Sequence, residues 1–453
     1  MVLRRTLVVT LLATAFLNTP ARGQGDQPID REKLAGEVKA EFLHAWNAYK
    51  KYAWGHDILK PLSKSYYDWH DVPIYLTPID ALDTMELMGL TEEADSVREF
   101  LVNNLSFDQD IYVKNFEMTI RVLGGLLSSY QLTQDIRLLD LAKELGDRLL
   151  PAFQSPTGMP YVYVNLKTGA VRDSISNPAE IGTLLLEFGA LSALTGDNKY
   201  YHYAKFALLQ LYKSRSKLDL VGQAIDVTTG EWVDSTSHIS AAIDSYYEYL
   251  AKGAILFNDK DCEVMFNTSL VALKAHVLDR RDTGTWYGHV NMNTGERVKT
   301  WFGALDVFFP AVLALVGDTA HAADLFRSSL RMWNKHGIEP AQFDYEKMEV
   351  VRPRYYLNPE IMESTYYLYK VTGDEHYLRV GKALFDSLKT YCRVEAGYAE
   401  LASVITKEKY DRMESYFLAE TLKYLYLLFA PAETLDFKRV IFNTEAHPIQ
   451  ATW

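Results

Sequence analysis

Basic charge is what this 453-residue sequence lacks most plainly: 59 Asp and Glu outnumber 47 Lys and Arg, for a formal net charge of -12. A surface so acidic repels phosphate, which excludes nucleic acid as a partner. Cysteine is nearly absent, and Cys262 and Cys392 fit a single disulfide or two buried thiols equally well. No Pro-, Ser- or Gly-rich linker and no block of one charge divides the chain, so one large domain is expected. Past the first 23 residues no apolar run is long enough to span a bilayer. The alternating pattern of β strands is almost missing too.

What is present is a large apolar complement. Apolar residues make up 48% and aromatic residues 13%, enough for a big core, and the 30 Tyr can line a polar cavity as well. At the N-terminus Arg4 and Arg5 precede an apolar run over residues 6–17, and Ala21-Arg22-Gly23 supplies small residues for cleavage. Residues 1–23 therefore read as a secretory signal peptide, and an uncleaved anchor is disfavoured by the shortness of the run. Removal takes away Arg4, Arg5 and Arg22 and moves the net charge from -12 to -15. The mature domain, 24–453, is expected to be exported to a periplasm, the exterior or a secretory lumen. Asn104-Leu-Ser106 and Asn267-Thr-Ser269 match glycosylation acceptors.

From Asp30 onward apolar residues recur at helical spacing, and one punctuation mark returns. An apolar helix ends, a Gly or small polar residue follows, and an Asp opens the next helix: Leu132-Thr-Gln-Asp135, Leu194-Thr-Gly-Asp197, Phe257-Asn-Asp259, Leu315-Val-Gly-Asp318 and Val371-Thr-Gly-Asp374. Gly suits the left-handed residue that stops a helix, and Asp accepts the free amide protons of the next one. The Asp positions are separated by 62, 62, 59 and 56 residues. Sixty residues hold two helices and their links, so the chain has room for about seven helical hairpins. Seven hairpins can close into a toroid around a cavity, whereas an open solenoid needs polar capping repeats that are not evident. The short turns belong at one end; the long links, 164–178, 221–238, 282–302 and 340–359, place the cavity mouth at the other.

Acids recur just after those links. Glu117 and Arg121 stand four apart on one helical face, as do Asp244 and Glu248. Glu360 and Glu363 are three apart, while Glu414 and Glu420, six apart, point in different directions. Burying such acids singly costs several kcal/mol, so their shared placement predicts a cavity that uses them. Two carboxylates on opposite walls suit glycosidic cleavage, one donating a proton and the other activating a nucleophile. Near the C-terminus Thr444-Glu445 offers hydroxyl, carbonyl and carboxylate oxygens, donors that calcium prefers, and calcium would offset the repulsion among the other acids.

At these residues the sequence resembles glycoside hydrolase family 47, the class I α-1,2-mannosidases and their relatives in endoplasmic reticulum degradation. The resemblance rests on Tyr52-Ala-Trp-Gly-His-Asp57, Leu59-Lys-Pro-Leu-Ser63, Ile79-Asp-Ala-Leu-Asp-Thr84, Phe116-Glu-Met-Thr-Ile-Arg121, Asp244-Ser-Tyr-Tyr-Glu248, Pro359-Glu-Ile-Met-Glu-Ser364, Asp411-Arg-Met-Glu-Ser415, Glu420-Thr-Leu-Lys-Tyr424 and Phe442-Asn-Thr-Glu445. It implies an all-α (α/α)7 barrel plugged by a C-terminal β-hairpin, and calcium-dependent, inverting removal of terminal α-1,2-linked mannose. It implies Glu117 as general acid, acting through a water, Asp244 as the second acid candidate and Glu360 as general base. Thr444 would ligate Ca2+, with Glu360, Glu363, Glu420 and Glu445 holding waters around it. Arg121, Glu363, Glu420, Glu414 and Tyr416 would contact substrate, Tyr416 standing where the family has a stacking Phe. Two departures, Asn358 in place of an Arg and the loss of an Asp-His pair within Ala304-Leu-Asp-Val-Phe-Phe-Pro310, lie in or near the substrate wall, and the second, with Gly397-Tyr-Ala399 and Asp411-Arg-Met-Glu-Ser-Tyr-Phe417, leans toward the degradation-enhancing branch. The expected partner is a mannose-containing oligosaccharide and the expected state a monomer; the alternative is a non-catalytic mannose-binding module of the same fold.

Overall fold

All five punctuation marks fall between helices in the computed structural model, which describes residues 29–451. The leader expected over residues 1–23 lies outside the described residues. Gly196, Gly317 and Gly373 take positive φ where their helices stop, and Gln134 and Asn258 do the same without being glycine. Asp135, Asp197, Asp259 and Asp374 each accept a backbone N–H two residues on, at 2.8 to 3.2 Å. Asp318 instead holds Lys274 of the neighbouring outer helix at 2.6 Å.

Those turns join inner and outer helices. The inner set comprises Leu76–Leu87, the broken helix 115–133, Leu185–Thr195, Asp244–Leu256, Phe309–Leu315, Glu360–Thr372 and Leu422–Phe429. Six are followed by their outer partners, Thr91–Asn104, Ile136–Leu149, Lys199–Lys213, Lys260–Ala272, Thr319–His336 and His376–Tyr391. The seventh pair joins the ends of the chain: Arg31–Tyr52 packs on Leu422–Phe429. Arg31 donates to the Ala430 carbonyl at 2.7 Å, closing the ring. Inner helices are buried almost all round, as in Leu76–Leu87 and Leu185–Thr195, and outer helices show one apolar stripe. In Ile136–Leu149 that stripe is Leu138, Leu139, Ala142, Leu145 and Leu149; truncating Leu145 to Ala would cost about 2–5 kcal/mol.

The long links fold into β-ribbons at the other end of the toroid. Their strands are two to four residues long, too short to print an alternating pattern. One three-stranded sheet aligns Lys114 with Tyr163 and Tyr163 with Arg172. A last antiparallel pair, Val440–Phe442 with Pro448–Gln450, carries residues 443–447 at its tip. Asn443 donates to the Ile120 carbonyl and to Glu187, both at 2.8 Å, which places the tip among the inner helices. Gly124 and Gly125 make that approach possible: a Cβ on Gly124 would sit 2.6 Å from Asn443 Nδ2, and one on Gly125 would sit 3.3 Å from His447 Cε1. Cys262 and Cys392 are two buried free thiols, which settles the open pairing.

Candidate active site

A cavity of about 760 Å³ opens between the inner helices and the β-ribbons. Its walls bring together Glu117, Arg121, Asp244, Glu248, Glu360, Glu363, Tyr416, Glu420, Thr444 and Glu445. These come from the second, fourth, sixth and seventh inner elements and the plug, so ring closure unites residues more than 300 positions apart.

Two of the positions depend on π-helical turns, the extra residue of which re-aims side chains. Glu117 directly precedes the turn Met118–Leu123, and Glu420 lies inside Phe417–Thr421. Arg121, within the first turn, donates to Glu117 at 2.9 Å and to Glu445 at 2.5 Å, and lies 3.7 Å from Asp80. Its guanidinium also stands 5.5 Å from the Tyr416 ring centroid. The Tyr416 hydroxyl donates to the Tyr356 carbonyl at 2.8 Å. One cation thus holds three carboxylates and faces two rings, the second being Trp69 at 5.6 Å.

Asp244 opens its helix, accepts the Ser245 N–H at 2.8 Å, and is pushed up to about 7 by burial. Glu360 opens the sixth inner helix; Asn358 approaches one carboxylate oxygen at 3.5 Å and Oε2 has no partner. Burial raises Glu360 well above the usual carboxylate range, with Glu363 and Asp244 adding repulsion. Glu363, one turn on, is lifted by burial to about 7 against the pull of Lys252, 3.5 Å away. Glu420 is raised well above its ordinary value by burial and by Glu445, Glu360 and Glu363. Glu445 is lifted by burial to about 8 despite Arg121. Five acids therefore share a space in which full ionisation is expensive. Thr444 sits among them, half-buried, its N–H donating to the Tyr249 hydroxyl at 3.3 Å.

Glu414 stands just behind this wall, close enough to feel Arg121 and Glu117. It turns to Arg412, and it is not among the residues lining the cavity. Its position six residues before Glu420 already separated the two.

Several participants escaped the sequence. Lys252 is buried beside Glu248 and Glu363. The series Asp244, Glu248, Lys252 at four-residue steps was the available signal. Beneath the plug, Asp83 accepts from Lys423 at 2.7 Å, His447 at 2.8 Å and Ser128 at 2.8 Å, and His447 Nε2 lies 3.4 Å from Asp80.

Residues 41–451 match the sequence profile of glycosyl hydrolase family 47. The chain is 38% identical to alpha-mannosidase I MNS5 of Arabidopsis thaliana, across 99% of this chain and 82% of that protein. It is 39% identical to ER degradation-enhancing alpha-mannosidase-like protein 2 of Homo sapiens, across 91% of this chain and 76% of that one. The solved alpha-1,2-mannosidase from Trichoderma reesei superposes with a TM-score of 0.86 at 28% identity, covering 93% of this chain and 99% of that one. A cellobiose 2-epimerase from Bacillus thermoamylovorans, at TM-score 0.59 and 12% identity, shares the toroidal fold alone.

Proposed function

The chain belongs to glycosyl hydrolase family 47, and from that premise we propose that it removes terminal α-1,2-linked mannose from oligosaccharides or high-mannose N-glycans by calcium-dependent, inverting hydrolysis. The observation that carries the proposal is the convergence of Glu117, Asp244 and Glu360 on one cavity whose floor holds Glu363, Glu420, Thr444 and Glu445. Acids on different walls suit a donor and a base working on opposite sides of one glycosidic bond.

Asp244 retains a proton up to about pH 7 and is a candidate donor to the leaving oxygen. Glu117, held by Arg121, is the other, delivering its proton through a water. Glu360 has one carboxylate oxygen free to accept the proton of the attacking water. Arg121 and Tyr416 hold the sugar beside them.

The floor suits calcium. Among the described residues no three His, Cys, Asp or Glu converge closely enough to ligate an ion directly. The donor set fits an ion held by the Thr444 hydroxyl and carbonyl, with Glu360, Glu363, Glu420 and Glu445 reached through water. When bound, the ion would offset the repulsion among those acids and take paired sugar hydroxyls. We extend the reading to an exported protein; no helix among the described residues is long and apolar enough to cross a membrane.

Incubation with α-1,2-mannobiose, followed by NMR, tests the whole. Free mannose, released first as the β-anomer, lost with chelator and restored by calcium, is expected. Binding without release would make the protein a mannose-binding module; activity indifferent to chelator would remove calcium from the reading.

A further inference from the structure

A second cavity of about 410 Å³ lies against the first, and Lys114 and Glu117 line both. Four aromatic rings, Tyr67, Trp69, Tyr112 and Tyr163, form much of its wall. The three-stranded sheet explains how: Tyr112 and Lys114 alternate onto one face, Tyr163 pairs with Lys114 in register, and Arg172 pairs with Tyr163. The Arg172 guanidinium lies 4.5 Å from the Tyr112 centroid and 4.8 Å from that of Tyr163, and Arg412 lies 4.6 Å from that of Tyr67.

Aromatic residues on a surface ribbon are common and need no ligand. These differ because they bound a cavity whose partition is a candidate catalytic acid. An acid protonates the oxygen that departs with the leaving group, so with Glu117 as the donor the glycan beyond the scissile bond emerges on the side where Glu117 stands. The cations around the cleft are largely neutralised: Lys114 pairs with Glu180 at 2.5 Å and Arg412 pairs with Glu414. Flat apolar faces with a few N–H donors fit the C–H faces and hydroxyls of an uncharged pyranose.

We propose that this cleft binds the leaving-group arm of the glycan, one or two neutral pyranose rings beyond the mannose that is cut. The inference rests on the mannosidase reading and adds a preference to it: extended or branched mannans over a disaccharide.

The test uses the full chain and two substrates, α-1,2-mannobiose and a linear α-1,2-mannotetraose. Tyr67 is 44% exposed, so Tyr67→Ala removes a platform with little effect on folding. The ratio of kcat/KM for tetraose to that for biose is expected to fall about tenfold in Tyr67→Ala, through loss of one ring contact. Tyr163→Ala should lower the same ratio. An unchanged ratio in both variants would overturn the cleft assignment. If the wild type cleaves neither substrate, the mannosidase reading fails instead, and the cleft is then judged by tetraose binding read from tryptophan fluorescence. Binding that weakens about tenfold in Tyr67→Ala supports the cleft, and equal affinity in wild type and variant overturns it.

Discussion

Two clusters of buried acids meet at the plug, and they are built on opposite principles. Beneath it, burial would raise Asp83, but Lys423 and His447 outweigh burial and hold it at about 2. Burial likewise opposes the His447 charge, yet Asp83 and Asp80 lift it to about 9. Each charge there is answered within the protein. In the cavity, Glu360, Glu363, Glu420 and Glu445 have Arg121 and Lys252 near them, with His447 acting on Glu445 alone, and all are pushed upward by burial. A cluster that balances its own charges fixes the plug in place. One left unbalanced stores a demand that a cation and a substrate can meet.

The sharpest way to break this contrast is to neutralise one charged side chain in each cluster. Glu360→Gln should cut mannobiose turnover by a factor on the order of a hundred to ten thousand, the range of general acid–base catalysis. It should leave the melting temperature unchanged or higher, since it removes a charge that burial disfavours. Full turnover in that variant would take Glu360 out of the base role. Lys423→Met does the reverse, leaving the buried Asp83 with His447 as its only cation and removing one partner of a buried pair at a cost of about 3–5 kcal/mol. Urea titration should show that loss directly; a stability within 1 kcal/mol of wild type, on the order of one ordinary hydrogen bond, would mean that the lower cluster is not held by charge.

The contrast also explains what could be read beforehand. Helical hairpins were legible because each turn is spelled locally, Gly or Asn for the stop and Asp for the start. Closure into a ring followed from the number of hairpins and from the resemblance, but which segments close it did not, because Arg31–Tyr52 finds its partner at the far end of the chain and nothing within either segment names the other. Acids stood out because a carboxylate inside an apolar helix breaks the pattern. Their partners did not: Lys423, within Leu422-Lys-Tyr-Leu-Tyr-Leu-Leu428, reads as a solvated lysine until Asp83 is placed beside it. The calcium role proposed for Thr444 rests on the resemblance, since a Thr-Glu pair before a turn has no specific signature. The pairing of Glu414 with Arg412 was not legible either, because the two stand outside the regular helical spacing.

A pH series separates the clusters further, with an effect of a few kcal/mol. Glu363 and Glu445 have folded values of about 7 and 8, above their unfolded ones. Between roughly pH 5 and 8 the folded state therefore binds more protons, and stability falls as pH rises. Asp83, depressed to about 2, contributes stability above about pH 4 that is lost on acidification toward pH 2. His447, raised to about 9, contributes stability that is complete below about pH 6.5 and lost by pH 9. In chelator the melting temperature should peak near pH 5, and saturating calcium should flatten the alkaline limb by about 2–3 kcal/mol at a hundredfold excess over its Kd. An alkaline limb that calcium leaves untouched would place the ion elsewhere.

The smallest expected effect lies at Tyr416, on the wall between chemistry and scaffold. Its ring faces Arg121, which belongs to the cavity, and its hydroxyl donates to the Tyr356 carbonyl, which belongs to the frame. Tyr416→Phe keeps the ring and the cation–π contact and loses one neutral hydrogen bond, a change of about 1 kcal/mol. If the hydroxyl serves only the frame, the melting temperature drops by a few degrees, kcat on mannobiose is unchanged, and KM shifts by less than about fivefold. A fall in kcat of tenfold or more, with the melting temperature held, would assign the hydroxyl to the transition state. The uncompensated cluster would then extend to this wall and include a neutral donor beside its acids.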